Sequence, residues 1–503
     1  MAAPVTDVLI GIDIGTTNLK LLATTPSGEV LHVVTRPMVI HRPQPGWADF
    51  DLEALAEAVR SGLREVGGAL PDGATVAAIA VDSIGESFVG VDADGVAITN
   101  CPTWFDRRTR NVRAEWGFDA ERWYDVTGMA DDDIATIYRV HWMLTHGGID
   151  AARVERWMNV ADYCVFLLSG ACVAAPSLAA RSGFYDRNTR GWSEELVAAV
   201  GLDVDSLPTP VEAARVAGGL RADVARGVGL RAGTPVVNAG HDHPCAGVGC
   251  RVVEPGSVMD STGTAEAVKT VVPGPLGYRA TLRGRYDCYP HAVPGRFMLS
   301  GHLPSAGGFH AWLSRLLHGD VAPGQAAWPD LDGLLDLAVQ SPPGANGVQV
   351  LPFLEGTGAP YNRREQTAEV LGLRGFHGRG DLVRAAYEGC AFWLDLNVET
   401  FSRIVGRRIE TIIAVGGGAR SELWLEIKSA FLQRPIVVPA VEEAAAFGTA
   451  LVGGIAVGAL GTGVEDLPTV PSRVMAAAPA TQAAYASVAA SYRHVFEQRF
   501  GVI

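Results

Sequence analysis

The apolar positions between residues 8 and 36 fall into three short runs broken by polar turns. "VLIGIDIG" is a buried strand by its pattern and ends at Asp13. "LKLLATT" follows a turn holding Gly15, Thr16 and Thr17, and "EVLHVVTR" follows a Pro-Ser-Gly turn at 26–28. The same device returns further on: "SVMDS" is a strand, "TGT" a turn and "AEAVKTVV" a return strand, all within 257–272. Two copies of strand, Gly/Thr turn and strand predict two related domains. The boundary is placed near residue 250, giving 1–250 and 251–503. Helical patterning covers Leu52–Val66, Arg139–Thr145 and Asp381–Ile404. A strand with a glycine turn, "TIIAVGGG" at 411–418, precedes a helix expected near Ser421.

Composition narrows the class. A chain of 503 residues is longer than one hydrophobic core usually serves. Hydrophobic residues make up 48%, divided between Ala-rich helical runs and short Val/Ile-rich runs, which favours a mixed α/β protein. The net charge of −14 gives no general attraction for nucleic acid or an anionic membrane. ATP stays open, because backbone N–H groups and Mg²⁺ hold phosphates without a basic surface. The seven cysteines are odd in number and form no C-x-x-C, so they read as reduced thiols in a cytoplasmic chain. Ala444 to Val464 carries no charge, but over half of it is Ala or Gly. It reads as a tightly packed interior helix, not a membrane span.

The candidate chemistry sits at the turns. Gly15, Thr16 and Thr17 after Asp13 form a nest suited to phosphate oxygens, with Asp13 placed to hold Mg²⁺; the plainer reading is an ordinary hairpin. A second such turn, "DSTGT" at 260–264, strengthens the phosphate reading, and "AVGGGARS" at 414–421 adds a glycine turn that a flat adenine ring can approach. None of these is a G-x-G-x-x-G dinucleotide fingerprint or a Walker loop. "NAGHDHPCAG" at 238–247 brackets Asp242 with His241 and His243. A metal-dependent hydrolase centred there is disfavoured, because neighbours leaving a strand point in opposite directions. Asp242 follows the strand "TPVVNAG" and opens a small-residue segment. A carboxylate at a helix N-terminus is favoured in its charged form, as a general base requires. The alternative is a simple N-cap.

Eight motifs in order resemble the FGGY family of carbohydrate kinases: "DIGTTNLK", "GWADFD", "TWFDRRT", "AGHDHPCAGVG", "STGT", "LPFLEGTGAPY", "AVGGGARSELW" and "AAAFGTAL". The resemblance implies two actin-like, ribonuclease-H-like α/β domains with a central interdomain cleft. The sugar would bind mainly to the first domain and ATP mainly to the second. It makes Asp13 the metal-associated aspartate and Gly15, Thr16, Thr17 and Asn18 the first phosphate loop. Gly263 and Thr264 become the second phosphate turn, Gly417, Gly418 and Ala419 the adenosine turn, and Asp242 the catalytic base. Trp104 and Asp106 take the place of sugar contacts; Arg108 lies in that motif without an assigned contact. The implied reaction is transfer of phosphate from ATP, with Mg²⁺, to a hydroxyl of a small sugar or polyol.

The chain departs from better-known members at "SIGESF", 83–88. The Gly-Gln-Met-His-Gly run of xylulokinases is absent. Glycerol kinases carry Arg-Glu where this chain has Gly85-Glu86, and a substrate tyrosine where it has Ile134. Glu86 is an acceptor for sugar hydroxyls in this reading, the plainer one being a solvated loop carboxylate; His241 and His243 line the sugar side, unless at least one merely packs beside the loop. A ketopentose such as xylulose, its polyol, or a related sugar fits. The competing reading is an actin- or chaperone-like ATPase switch without sugar kinase activity; Glu86, Trp104 and Asp106 argue against it. Dimerisation is common in the family, but no motif of this chain shows it.

Overall fold

The computed structural model describes residues 7–116, 118–318 and 331–502. The chain forms two compact units. The first runs to Glu254 and also takes Val272–Met298 and Glu443–Val470; the second takes Pro255–Val271, Leu299–Glu442 and Pro471 onward. The chain therefore passes between units several times, where the sequence pattern places a single boundary near 250.

In the first unit the sheet runs Val216–Gly219, Pro235–His241, Thr75–Ser83, Asp7–Ile14, Asn18–Thr24, Val30–Pro37. Asp7–Ile14 lies parallel to Thr75–Ser83, which lies parallel to Pro235–His241, while the three N-terminal strands form an antiparallel meander. Asp7–Ile14 is buried at every position after its first, which is why its sequence is apolar without alternation. One covering element is the helix Leu52–Ala69. Asp51 caps it by accepting from the Ala54 N–H, and Leu55, Val59, Leu63 and Val66 turn its apolar stripe inward. Each such side chain contributes about 1.5–3 kcal/mol by leaving water.

The other covering element is the helix Ala444–Ala456, the core of the uncharged segment. It packs on Asp7–Ile14 and on the helix Asp242–Gly249. The approach is so close that a Cβ on Gly448 would lie 1.7 Å from the Cys245 carbonyl oxygen. Small residues here allow backbone-to-backbone packing, which explains an Ala/Gly-rich helix inside a protein. Among the described residues no helix is long and apolar enough to cross a membrane.

The second unit repeats the plan. Its sheet contains Phe297–Leu303, Glu266–Val272, Ser257–Thr262, Thr411–Val415, Ile436–Pro439 and Ser472–Met475, in that order. Ser257–Thr262 and Glu266–Val272 form the expected hairpin, and Ser257–Thr262, Thr411–Val415 and Ile436–Pro439 run parallel. The helix Arg379–Val405 is buried along most of its length. Its Glu388 Oε1, deep in the core, accepts from Arg384, Tyr485 and the Gly344 N–H.

Candidate active site

Three parallel strands of the first unit end side by side. Asp13 is in register with Asp82, Asp82 with Gly240, and Ser83 with His241. Ligand sites of open α/β sheets form at such carboxyl ends. An irregularity between Asn238 and Gly240 bends the third strand away from the ladder. Gly240 makes the bend possible: its φ is +94°, and an added Cβ would lie 2.2 Å from the Ser177 Oγ. Ser177 Oγ accepts from the His241 N–H at 3.1 Å, fixing the chain just before Asp242. Asp242 then opens the helix Asp242–Gly249, in the first turn, where the N-terminal dipole favours its charge. Its Oδ1 accepts from the His243 N–H at 2.6 Å and lies 3.2 Å from His241 Nε2.

The three strand ends concentrate negative charge. Asp82 is fully buried and accepts from the Thr449 hydroxyl. Burial raises its carboxyl well above the ordinary range, and the charges of Asp13 and Asp242 raise it further. Asp13 is pushed up to about 6, chiefly by burial, with Lys20 pulling the other way. Lys20 itself pairs with Glu443.

The remaining predicted residues of the first unit divide into two groups. Trp104 is 40% exposed, and its Nε1 donates to Thr16 Oγ1 at 2.9 Å, which joins the expected sugar loop to the expected phosphate loop. His241 and His243 stand with ring centres 5.3 Å apart, and His241 meets the edge of Tyr289 at 5.8 Å. Glu86 is buried with a φ of 60°, a conformation costly for a residue with a Cβ. It accepts from Arg181 Nε at 2.6 Å, and Arg181 Nη1 reaches Asp287 Oδ2 at 3.1 Å. Asp106 turns inward. Its carboxylate accepts from the Ala48 N–H at 2.6 Å and from Arg108 Nε and Nη2, each at 2.8 Å. Arg108 also holds Asp49 and lies over the Trp47 ring at 4.3 Å. Through these bonds Asp106 ties the Trp104 loop to Ala48 and Arg108.

In the second unit Gly263 and Thr264 are exposed at the hairpin turn, and Gly417 is exposed after Thr411–Val415. The two turns meet through Thr262: a Cβ on Gly418 would lie 2.6 Å from the Thr262 Cγ2. Ala419 is buried in the short 3₁₀ turn Gly417–Arg420, ahead of the helix Glu422–Leu432 that Ser421 caps. The glycine N–H groups are not outward donors, as a phosphate nest would have them: Gly15 N–H closes on Asn18 O at 3.1 Å and Gly263 N–H on Ala265 O at 2.8 Å. Thr16 and the exposed Thr17 and Thr264 are left as the candidate phosphate donors. Beneath the second turn lies a group the motifs did not reveal. Lys428 Nζ pairs with Asp260 and Glu266, each at 2.7 Å, and donates to Thr262 Oγ1 at 2.8 Å.

Residues 8–249 match the FGGY family of carbohydrate kinases, N-terminal domain, and residues 259–457 match its C-terminal domain. The chain belongs to the FGGY family of carbohydrate kinases. Like other FGGY kinases it is a phosphotransferase that acts on a sugar and uses ATP as substrate. A gluconokinase of Bacillus licheniformis is 23% identical over 90% of this chain and 88% of its own length. A xylulose kinase of Staphylococcus xylosus is 24% identical over 88% and 90%. An L-fuculokinase of Salmonella typhi is 28% identical over 90% and 93%. Among solved structures, a xyloylose kinase from Brucella ovis aligns with a TM-score of 0.88 at 25% identity, covering 98% of this chain and 99% of that one. A gluconate kinase from Lactobacillus acidophilus gives the same TM-score at 22% identity over 98% of each chain, a likeness of fold.

The first unit's acids fit a magnesium ion as FGGY kinases would use it. Among the described residues no three His, Cys, Asp or Glu side chains gather to hold an ion by themselves. Mg²⁺ binds through one or two carboxylates and completes its shell with water and phosphate oxygens, so Asp13 suffices as a protein ligand. Burial raises both the Asp13 and Asp82 carboxyls, and a bound cation would relieve that cost.

Proposed function

We propose that this kinase transfers the γ-phosphoryl group of ATP to a hydroxyl of a ketopentose such as xylulose, or of a related sugar or polyol, with Asp242 as general base. The observation that carries this reading is the position of Asp242. It follows a strand parallel to Thr75–Ser83, whose Asp82 is in register with Asp13 on the strand beyond, and it enters the first turn of a helix. Phosphoryl transfer needs an aligned hydroxyl, charge neutralisation and a carboxylate to take the proton. Asp242 supplies the carboxylate, and the helix N-terminus keeps it ionised. Asp13 would hold Mg²⁺, which when bound neutralises charge on the transferring phosphoryl group. Gly15–Asn18 and Gly263–Thr264 would each offer contacts to phosphate oxygens, mainly through threonine hydroxyls. Gly417, Gly418 and Ala419 would receive the adenosine. Trp104, Glu86, His241 and His243 would face the sugar, so the first domain mainly serves the sugar and the second mainly ATP.

The decisive experiment measures sugar-dependent ADP release by Asp242→Asn across ketopentoses, pentitols, deoxyhexuloses and gluconate. A loss of about 10²-fold or more is expected, the scale of a positioned base. Full sugar-dependent turnover by the variant overturns the assignment.

A further inference from the structure

The sequence lacks an arginine beside Glu86, and the fold brings one from elsewhere. Arg181 belongs to the 3₁₀ turn Ala180–Ser182, directly after the helix Pro176–Ala179 that carries Ser177. One short segment therefore steadies the backbone before Asp242 through Ser177 and delivers a guanidinium to Glu86.

Gly85 is what admits it. A Cβ there would lie 3.2 Å from the Arg181 Cγ and 3.2 Å from His241 Nε2. The volume that a side chain at 85 would fill is taken by the Arg181 stem and the histidine next to the base.

The hydrogen-bond inventory shows what this group is fitted to recognise. A guanidinium has five N–H donors. Arg181 Nε and Nη2 both go to Glu86 Oε1, and Nη1 goes to Asp287 Oδ2 and to the Met129 Sδ at 3.6 Å. The Nη2 group has a second N–H, and Glu86 has a second oxygen, Oε2. Side-chain exposures of 12% for Arg181, 7% for Glu86 and 15% for Asp287 mark a largely buried cluster with a small exposed remainder. A donor and an acceptor side by side match a hydroxyl, or two neighbouring hydroxyls, of a sugar. They do not match a carboxylate, which needs a cation not already committed. Burial works against the Arg181 charge, but Glu86 and Asp287 outweigh it and hold the guanidinium firmly protonated. Two carboxylates clamp the Arg181 cation, and the buried Arg139, which also acts on Glu86, is already bound to the Thr103, Trp104 and Ile134 carbonyls.

We propose that Arg181, clamped by Glu86 and Asp287 and admitted by Gly85, is a specificity-determining residue that binds hydroxyls of an uncharged sugar and makes this site reject aldonates. The inference rests on the proposed sugar side of the Asp242 site.

The test compares ATP-dependent phosphorylation of neutral ketoses, D-xylulose among them, with D-gluconate. kcat/KM for gluconate should be lower by about 10²-fold or more, since placing like charges together costs several kcal/mol. Arg181→Met should raise KM for the neutral sugar by roughly 10-fold or more, with kcat within about 3-fold and KM for ATP unchanged. That variant leaves two buried acids uncovered, so Gly85→Ala is the milder probe. Its backbone conformation suits alanine, and it should raise sugar KM by displacing the Arg181 stem. Arg181→Lys keeps the charge without the fork and should fall between wild type and Arg181→Met. Gluconate turnover equal to that of the ketose overturns the proposal, as does an unchanged sugar KM in both Gly85→Ala and Arg181→Met. Sugar turnover surviving in Asp242→Asn is a separate result that removes the base assignment instead.

Discussion

Each unit buries a pair of acids beside its hairpin, and the two pairs are treated in opposite ways. In the second unit Asp260 and Glu266 are joined by Lys428 at 2.7 Å from each, and all three side chains are essentially sealed from solvent. Burial works against the lysine's charge, yet the two carboxylates outweigh it and hold the ammonium above the usual lysine range. In the first unit Asp13 and Asp82 are in register on adjacent strands, and burial raises both carboxyls. Lys20, the cross-strand register partner of Asp13, pulls its carboxyl down, and the same ammonium is engaged by Glu443. One architecture thus yields an internally neutralised base plate under the turn Thr262–Thr264 and, in its counterpart, two buried acids whose carboxyls stay raised despite Lys20. Buried acid alone does not mark a site; the counter-charge that the protein withholds does.

The largest effect should come from removing the internal counter-ion. Lys428→Met leaves two carboxylates buried without a cation, and breaking such a pair typically costs 3–5 kcal/mol. Denaturant unfolding of the variant should show that loss, and adding Glu266→Gln should recover part of it. An unfolding midpoint equal to wild type would mean that the lysine does not hold the second unit's acids, and the comparison would fail.

A middle-sized effect tests the first unit. With ADP present, Mg²⁺ should raise the thermal midpoint of the wild type, because a ligand that binds only the folded state adds about 2.7 kcal/mol at 100 times its Kd. Asp13→Asn should remove most of the Mg²⁺-dependent increment while folding normally, since an amide needs no counter-charge. If the variant keeps the whole increment, Asp13 is not the metal-associated carboxylate.

What was legible in sequence follows the range of the interactions. Asp13, the turns 15–18 and 263–264, and Asp242 were visible because each belongs to a local strand-turn or strand-helix pattern. The helix Ala444–Ala456 was read correctly as interior because its Ala and Gly content speaks for backbone contact. Arg181 and Lys428 were not visible: their carboxylate partners lie 95 and 168 residues away, and only the fold joins them. Asp82 was overlooked because a single acid at the end of an apolar strand carries no motif; its register with Asp13 gives it meaning. The pairing of Asp106 with Arg108, two residues on, is local enough to be legible in the motif itself.

The smallest predicted effect is the sharpest check on the contrast, because it concerns the first unit's own lysine. Lys20 and Glu443 are each 26% exposed at the side chain, so solvent screens their attraction. Partly exposed pairs of this kind contribute roughly 0–1 kcal/mol. Lys20→Met should therefore shift the unfolding midpoint little, far less than Lys428→Met measured alongside it. It should also leave Asp13 with less compensation and so strengthen the dependence of stability on Mg²⁺. A loss as large as that of Lys428→Met would show that Lys20 serves the first unit's acids as Lys428 serves the second's. The two units would then be alike, and the open charge at Asp13 would no longer single out the metal side of the site.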